Sequence, residues 1–403
     1  MLHYFPTPYP DELWYSVLCR YHVRTGNSGS AATFRELFGN RDNAIFSSFM
    51  PNGLMKRIAD QLPEGVLDVE TLALDHTLFP YRVRFRSIEE KQDLLESTKI
   101  GKTVFKMNGR EAVSQLKVCP LCMREDLEQY GEIYWHVSHQ IPSASVCLKH
   151  GCRLKQAFDC SKKELNNNLF LPEESLMETV DFGVKPVELE FTRVLMRYLE
   201  LPFGLGPTSG HNNLYEGLLN AGYGTVRKDH YYSVDYKRVG EDLCKKFGEE
   251  FVIQHFGGTS LRAAIFGNIR YWKCQIPERY ASLSLLIGLK PETLFDTKKI
   301  ENKMDQAFRE LAKSPVLVSK KYAAEKLGVR EKQLDIISHN LGIAPFWEQR
   351  PETDFGKKVK YNLYMTEEEW NYICRSVKER GFPSASACIR YCIEQVMEQE
   401  KGS

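Results

Sequence analysis

Net charge is almost absent from this sequence. Lys plus Arg number 54 against 53 Asp plus Glu, leaving +1, so the overall balance points to neither a nucleic acid nor a membrane surface as partner. Long hydrophobic runs are missing as well. The longest, such as Leu283 to Leu289, stop far short of the roughly 20 residues that cross a bilayer. Met1 to Glu12 has neither the basic nor the apolar region of a signal peptide, so the expectation is a cytoplasmic protein with no membrane contact. No Gly-x-x-x-x-Gly-Lys-Ser/Thr loop is present, so any ATP chemistry is expected from a partner, and the lack of His-Glu-x-x-His leaves little support for a zinc hydrolase. No DDE-type carboxylate set can be assigned from spacing. No internal repeat or low-complexity tract is visible, and 403 residues suit two to four domains of about 100 to 200 residues each.

The cysteines are bunched. Of eleven, Cys119, Cys122, Cys147, Cys152 and Cys160 fall within some forty positions, and in a reducing compartment that spacing indicates metal binding rather than disulfides. Cys19, Cys244, Cys274, Cys374, Cys388 and Cys392 lie singly among apolar neighbours and read as small buried hydrophobes. Cys119-Pro120-Leu121-Cys122 is followed, after 24 intervening residues, by Cys147-Leu148-Lys149-His150-Gly151. Two residues between paired ligands let both side chains of a knuckle converge on one tetrahedral ion, and Cys3His is a closed, structural zinc set. The expected ligands of one structural Zn2+ are therefore Cys119, Cys122, Cys147 and His150, with Cys152, Cys160, His136 and His139 as spare candidates.

Upstream, Leu13, Trp14, Val17, Leu18 and Tyr21 recur at helical spacing up to Gly26-Asn27, and Phe34, Leu37 and Phe38 follow a Ser30 cap. The two segments read as a helical hairpin or a helix-turn-helix. Residues 80 to 124 carry ten Lys or Arg against five acids. Within them Arg82, Arg84 and Arg86 alternate with Val83 and Phe85, which places three guanidinium groups on one face of an extended segment, suited to phosphates.

Several motifs in order resemble the TniQ/TnsD family of transposon target selectors. They are Phe5-Pro-x-Pro-Tyr-x-Asp-Glu-Leu, His76-Thr-Leu-Phe-Pro80, the Cys119-Pro-x-Cys knuckle, Tyr130-Gly-Glu-x-Tyr-Trp-His-x-x-His-Gln-x-Pro142 and Cys147-x-Lys-His-Gly151. The resemblance covers residues 3 to 155 closely and loosens beyond, where Leu218 to Tyr223, Lys246 to Gly248, Trp272 and Pro277 to Gly288 are similar to the helical second half of the TnsD branch. It implies a non-catalytic adaptor that binds a double-stranded DNA attachment site or, alternatively, a CRISPR effector complex. Such an adaptor recruits an AAA+ ATPase regulator and, with it, the transposase.

The last third adds its own signals. Ser319 caps a segment with Tyr322, Ala323, Ala324 and Leu327, then Gly328-Val329, then Leu334, Ile337, Leu341 and Ile343 at helical spacing. That is helix, Gly turn, helix, with Arg330, Lys332 and Gln333 opening the recognition helix. Lys360, Asn362 and Tyr364 alternate with Tyr361, Leu363 and Met365 as a short strand. Two helices follow, started by Thr366 and Ser384. This order looks like a ribbon-helix-helix module, which pairs its strands in a homodimer and reads bases with Lys360, Asn362 and Tyr364.

The expected fold is mainly α and multidomain. It comprises an N-terminal helical region (1–115), a zinc-knuckle region (116–160), a linker (161–210), a helical region (211–313), a helix-turn-helix (314–350) and the ribbon-helix-helix-like tail (351–403). The expected function is DNA-reading target selection in transposition, in the bacterial cytoplasm on the nucleoid.

Overall fold

The computed structural model describes residues 2–39, 46, 49–102, 115–159, 162–208, 210–225, 233–314, 318–347 and 363–401. As the sequence leads one to expect, the described residues are mainly helical. Their strands form three two-stranded antiparallel pairings. The chain divides into two compact units, Met1–Tyr215 with Tyr236–Lys299, and Glu216–Asp235 with Ile300–Ser403.

In the first unit, α1 (Trp14–Thr25) is buried without a break from Trp14 to Tyr21. Burial on every side places this part of α1 in the core of the unit, with Ser16 and Arg20 enclosed along with its apolar side chains. Gly26 ends it at φ 65°, a left-handed position that only glycine adopts without cost. Then come α2 (Ser30–Phe38), α3 (Gly53–Ala59), α4 (Val69–Asp75), α5 (Phe79–Arg82) and α6 (Ile88–Lys99). Side chains of Asn52, Asp68 and Ser87 cap α3, α4 and α6. The knuckle region holds β1 (Gln115–Val118), α7 (Pro120–Tyr130), β2 (Val146–Cys147), β3 (Cys152–Arg153) and β4 (Lys155–Asp159). Here β1 pairs with β4, and β2 with β3. Beyond it lie α8 (Lys162–Asn167), α9 (Pro186–Glu200) and α10 (Asn213–Leu218), the last at the sequence boundary of the units. The first unit closes with α11 (Tyr236–Phe247), α12 (Glu249–Phe256), α13 (Ala263–Arg270) and α14 (Pro277–Ile287).

The stripe of arginines is not an extended strand. Pro80 fits the first turn of α5, and Val83, Arg84 and Phe85 are all buried. Phe85 stacks on Tyr280 with ring centroids 3.8 Å apart. Arg84 donates to the carbonyls of Tyr198 (2.8 Å), Leu201 (2.6 Å), Pro202 (2.9 Å) and Leu205 (3.0 Å). Lys91 donates to those of Phe203 and Leu205, each at 2.7 Å. These carbonyls lie at and just beyond the C-terminus of α9, where a helix presents its negative end and orphan acceptors. The basic run thus holds backbone together from inside: burial lowers Arg84 to about 10 and Lys91 to about 8. The α9 helix itself occupies the stretch expected to be a linker. Phe191, Val194, Leu195 and Tyr198 fall on its buried face, and it packs against α14.

The second unit contains β5 (Gly224–Thr225), β6 (Ser233–Val234), α15 (Lys303–Ala312), α16 (Lys320–Leu327), α17 (Glu331–Leu341), α18 (Glu367–Arg380) and α19 (Ala385–Lys401). Phe308, Val318, Ala323, Ala324, Leu327, Leu334 and Ile337 form one core, so the alanines read from the sequence do lie where α16 meets α17. Gly328 turns the chain between these helices at φ 63°. A smaller core of Ile373, Phe382 and Cys388 joins α18 to α19. The backbone at Gly381 comes against the ring of Tyr322, and Ser319 N–H donates to the Gly381 carbonyl at 2.8 Å.

Candidate metal centre

Cys119 caps the N-terminus of α7, with Pro120 in its first turn, so Cys119 and Cys122 sit three apart at the start of a helix. Cys147 ends β2, and the turn to β3 carries His150. Gly151 closes that turn at φ 64°, its N–H donating to the Cys147 carbonyl at 2.8 Å. The ligand atoms of Cys119, Cys122, Cys147 and His150 all lie within 4.8 Å of one another. His150 Nδ1 is 3.4, 3.3 and 3.6 Å from the sulfurs of Cys119, Cys122 and Cys147, and the sulfurs of Cys122 and Cys147 are 3.7 Å apart. Zinc–sulfur and zinc–nitrogen bonds of about 2.3 and 2.0–2.1 Å in a tetrahedron require edges of about 3.8 and 3.5 Å. The four residues fit such an ion.

Their surroundings suit a closed site. Leu121, Leu154 and Val180 pack around the sulfurs. His150 Nε2 lies 3.1 Å from Glu125 Oε1, an outer carboxylate that fixes the ring with Nδ1 facing the sulfurs. Glu125 also pairs with Lys149 at 2.5 Å. Hydrogen bonds from the Cys122 and Cys147 thiols draw the Cys119 thiol down, whereas hydrogen bonding with Cys119 and Cys147 pushes Cys122 up.

Of the spare histidines, His136 has partners away from the cluster, whereas His139 hydrogen-bonds Cys147. His136 Nδ1 is 3.3 Å from Asp11 Oδ2, and its Nε2 is 2.9 Å from Asp126 Oδ2. Burial opposes charge on the ring, but these two carboxylates outweigh it and raise His136 to about 9. His139 is buried beside it, ring centroids 4.7 Å apart. Cys160 lies outside the described residues. Asp11 further accepts from Ser138 N–H at 3.0 Å and Ser138 O–H at 2.5 Å. Glu12 accepts from Arg20 at 2.7 Å, and Glu132 from Arg20 at 2.6 Å and Tyr9 O–H at 2.8 Å. Tyr9 stacks on Tyr130 at 4.1 Å, and His76 Nδ1 meets the Glu12 carbonyl at 2.6 Å. The motifs at residues 5–13, 76–80 and 130–142 therefore meet in one buried polar network. Motif matching found its members, but spacing gave them no partners.

The expected DNA contacts fare unevenly. Arg84 is withdrawn into the protein, while Arg82 and Arg86 are half-buried. Arg330 and Lys332 are exposed at the start of α17, and Gln333 Oε1 accepts from Arg330 N–H at 2.7 Å. Lys360 and Asn362 lie outside the described residues. Tyr364 is 93% exposed, in a stretch from 363 to 366 that forms no strand.

Among the described residues no helix is long and apolar enough to cross a membrane. Residues 3–154 match the TniQ family. The chain is also similar to the transposon Tn7 transposition protein TnsD of Escherichia coli, 31% identical over 157 residues, which is 36% of this chain and 30% of that protein. The part that matches is the part in which the motif network and the cysteine knuckles converge, so the likeness to the TniQ family and to TnsD is a likeness of this N-terminal region, and the chain spans under a third of that relative's length.

Proposed function

We propose that the chain selects target sites for transposition. In this reading it binds a double-stranded DNA attachment site and recruits the transposon's AAA+ ATPase regulator and thereby the transposase, catalysing no step itself. The observation that carries it is one chain joining a TniQ domain to a second unit in which α16, a glycine turn and α17 share a core. Arg330 and Lys332 are exposed at the N-terminus of α17, the end of a recognition helix that reaches base edges. Exposed Lys321 and Lys326 on α16 suit phosphates. The ion in the knuckle is a structural Zn2+, adding folding energy and no chemistry.

Arg82 and Arg86 remain phosphate contacts in this proposal; Arg84 does not. The tail forms a homodimer, with Lys360, Asn362 and Tyr364 facing DNA. The outward Trp370, Ile393, Val396 and Met397, each about half exposed, suit cover by a second copy. The protein works in the bacterial cytoplasm, on the nucleoid.

The test is capture of the AAA+ regulator by the full chain on immobilised duplex. Capture that needs both the chain and an attachment-site duplex is expected. Capture that needs a CRISPR effector and ignores the duplex would replace direct DNA reading with effector docking, where guide pairing selects the site.

A further inference from the structure

A fourth thiol stands against the metal centre. The Cys152 sulfur lies 3.4 Å from that of Cys119, shorter than the edge of about 3.8 Å between two zinc-bound sulfurs. Cys152 is fully buried, so water cannot compete for that contact. It faces Cys147 directly across the β2–β3 pairing, and directly opposed residues of an antiparallel pair project to the same face of the sheet. The hairpin that delivers one ligand thus also delivers this thiol, and Leu154 and Val180 pack around the cluster.

Three thiolates on one divalent cation leave the site with one net negative charge in an apolar shell. Such a charge requires donors close to the sulfurs. Between Cys119 and Cys152 either sulfur can donate in the free protein, but a metal-bound Cys119 has no proton to give, which fixes the direction. We propose that Cys152 is a positioning residue of the metal centre, its S–H donating to the metal-bound sulfur of Cys119. It binds no metal itself; it holds the Cys119 thiolate in place and withdraws electron density from it.

This inference rests on the Cys3His reading, and the experiment separates the two. The full chain is prepared under reductant as native, Cys152→Ala and Cys152→Ser, loaded with zinc or cobalt(II). One ion per native chain is expected, and a native chain that binds none removes the metal reading before Cys152 is tested. Serine keeps a donor and alanine does not. Cys152→Ala should release zinc to excess chelator about tenfold faster than native, in the range of outer-shell losses, and Cys152→Ser within about threefold of native. In the cobalt form, the sulfur-to-metal charge-transfer band should move to lower energy in Cys152→Ala with undiminished intensity, because three thiolates remain and one is richer in electrons. Where alanine leaves too large a gap for folding, Cys152→Val, which fills the space without a donor, repeats the comparison with serine. Equal release from the donor and non-donor variants would overturn the proposal. So would a loss of charge-transfer intensity, which would make Cys152 a ligand.

Discussion

Asp11 and His136 meet at 3.3 Å across 125 residues of chain, while Asp126 holds the other imidazole nitrogen at 2.9 Å. Asp11 adopts a positive φ of 55°, a conformation with a cost for a residue bearing a side chain. In that pose its carboxylate also receives both the N–H and the O–H of Ser138. The N-terminal segment is thereby locked to the region between the two cysteine knuckles.

That lock has a pH signature. His136 is raised to about 9 against an unfolded value of about 6.5, so its contribution is complete below about 6.5. It is lost as pH rises through about 9, and its full size is about 3 kcal/mol. Denaturant unfolding of native and His136→Gln chains from pH 6 to 9.5 is expected to show a difference that shrinks as pH rises. A difference constant across that window would remove the charged His136 from the account.

Losing a metal ligand is expected to unfold the knuckle. Cys147→Ser forfeits much of an apparent binding energy of roughly 10 to 16 kcal/mol, so zinc content should fall to background and thermal unfolding should begin earlier. Excess chelator on the native chain should do the same. Unchanged zinc content with an unchanged melting temperature would refute the ligand assignment.

Arg84 belongs to stability rather than to DNA. Arg84→Met takes a donor from four carbonyls, of which Pro202 keeps the Leu205 N–H and Leu205 keeps Lys91, and with buried unsatisfied acceptors at about 1 to 3 kcal/mol each a loss of about 2 to 5 kcal/mol is expected from denaturant unfolding. The salt dependence of DNA binding should not change. Arg86→Met should instead lower the salt slope by about one ion with little effect on stability.

Gly381→Ala tests the packing of the tail on α16. At φ 73° an added Cβ would lie 2.3 Å from the Tyr322 ring, and overpacking with backbone strain is expected to cost about 2 to 4 kcal/mol. A melting temperature within a degree of native would mean the tail does not pack there.

The knuckles were legible because zinc demands ligands at short, fixed spacing, and the glycine turn with its small alanines exposed the junction of α16 and α17. The arginine stripe misled because Val83, Arg84 and Phe85 are all buried in the turn that follows α5, so the alternation separates no outer face from an inner one, and Arg84's carbonyl partners lie 114 to 121 residues away, beyond any local pattern. The α9 helix carried apolar residues at 191, 194, 195 and 198; the Asn- and Glu-rich loop before it and the Gly- and Pro-rich loop after it hid that pattern. Partners for Asp11, Glu12 and Arg20 came only with the fold, since a polar network has no period in sequence.

In the proposed function, sequence preference lies with α17. Lys332→Ala is expected to narrow the gap between cognate and random duplex by about 1 to 3 kcal/mol, read by competition binding, and to leave folding intact because Lys332 is exposed. An equal loss on both duplexes would make it a phosphate contact.

The most direct test of DNA-reading target selection is recovery of bound sequences from a random duplex library by the full, zinc-loaded chain at near-physiological salt, where non-specific phosphate binding no longer dominates. One enriched motif is expected, with two-fold symmetry if the tail pairs across a dimer. Recovery of nothing above background would contradict it.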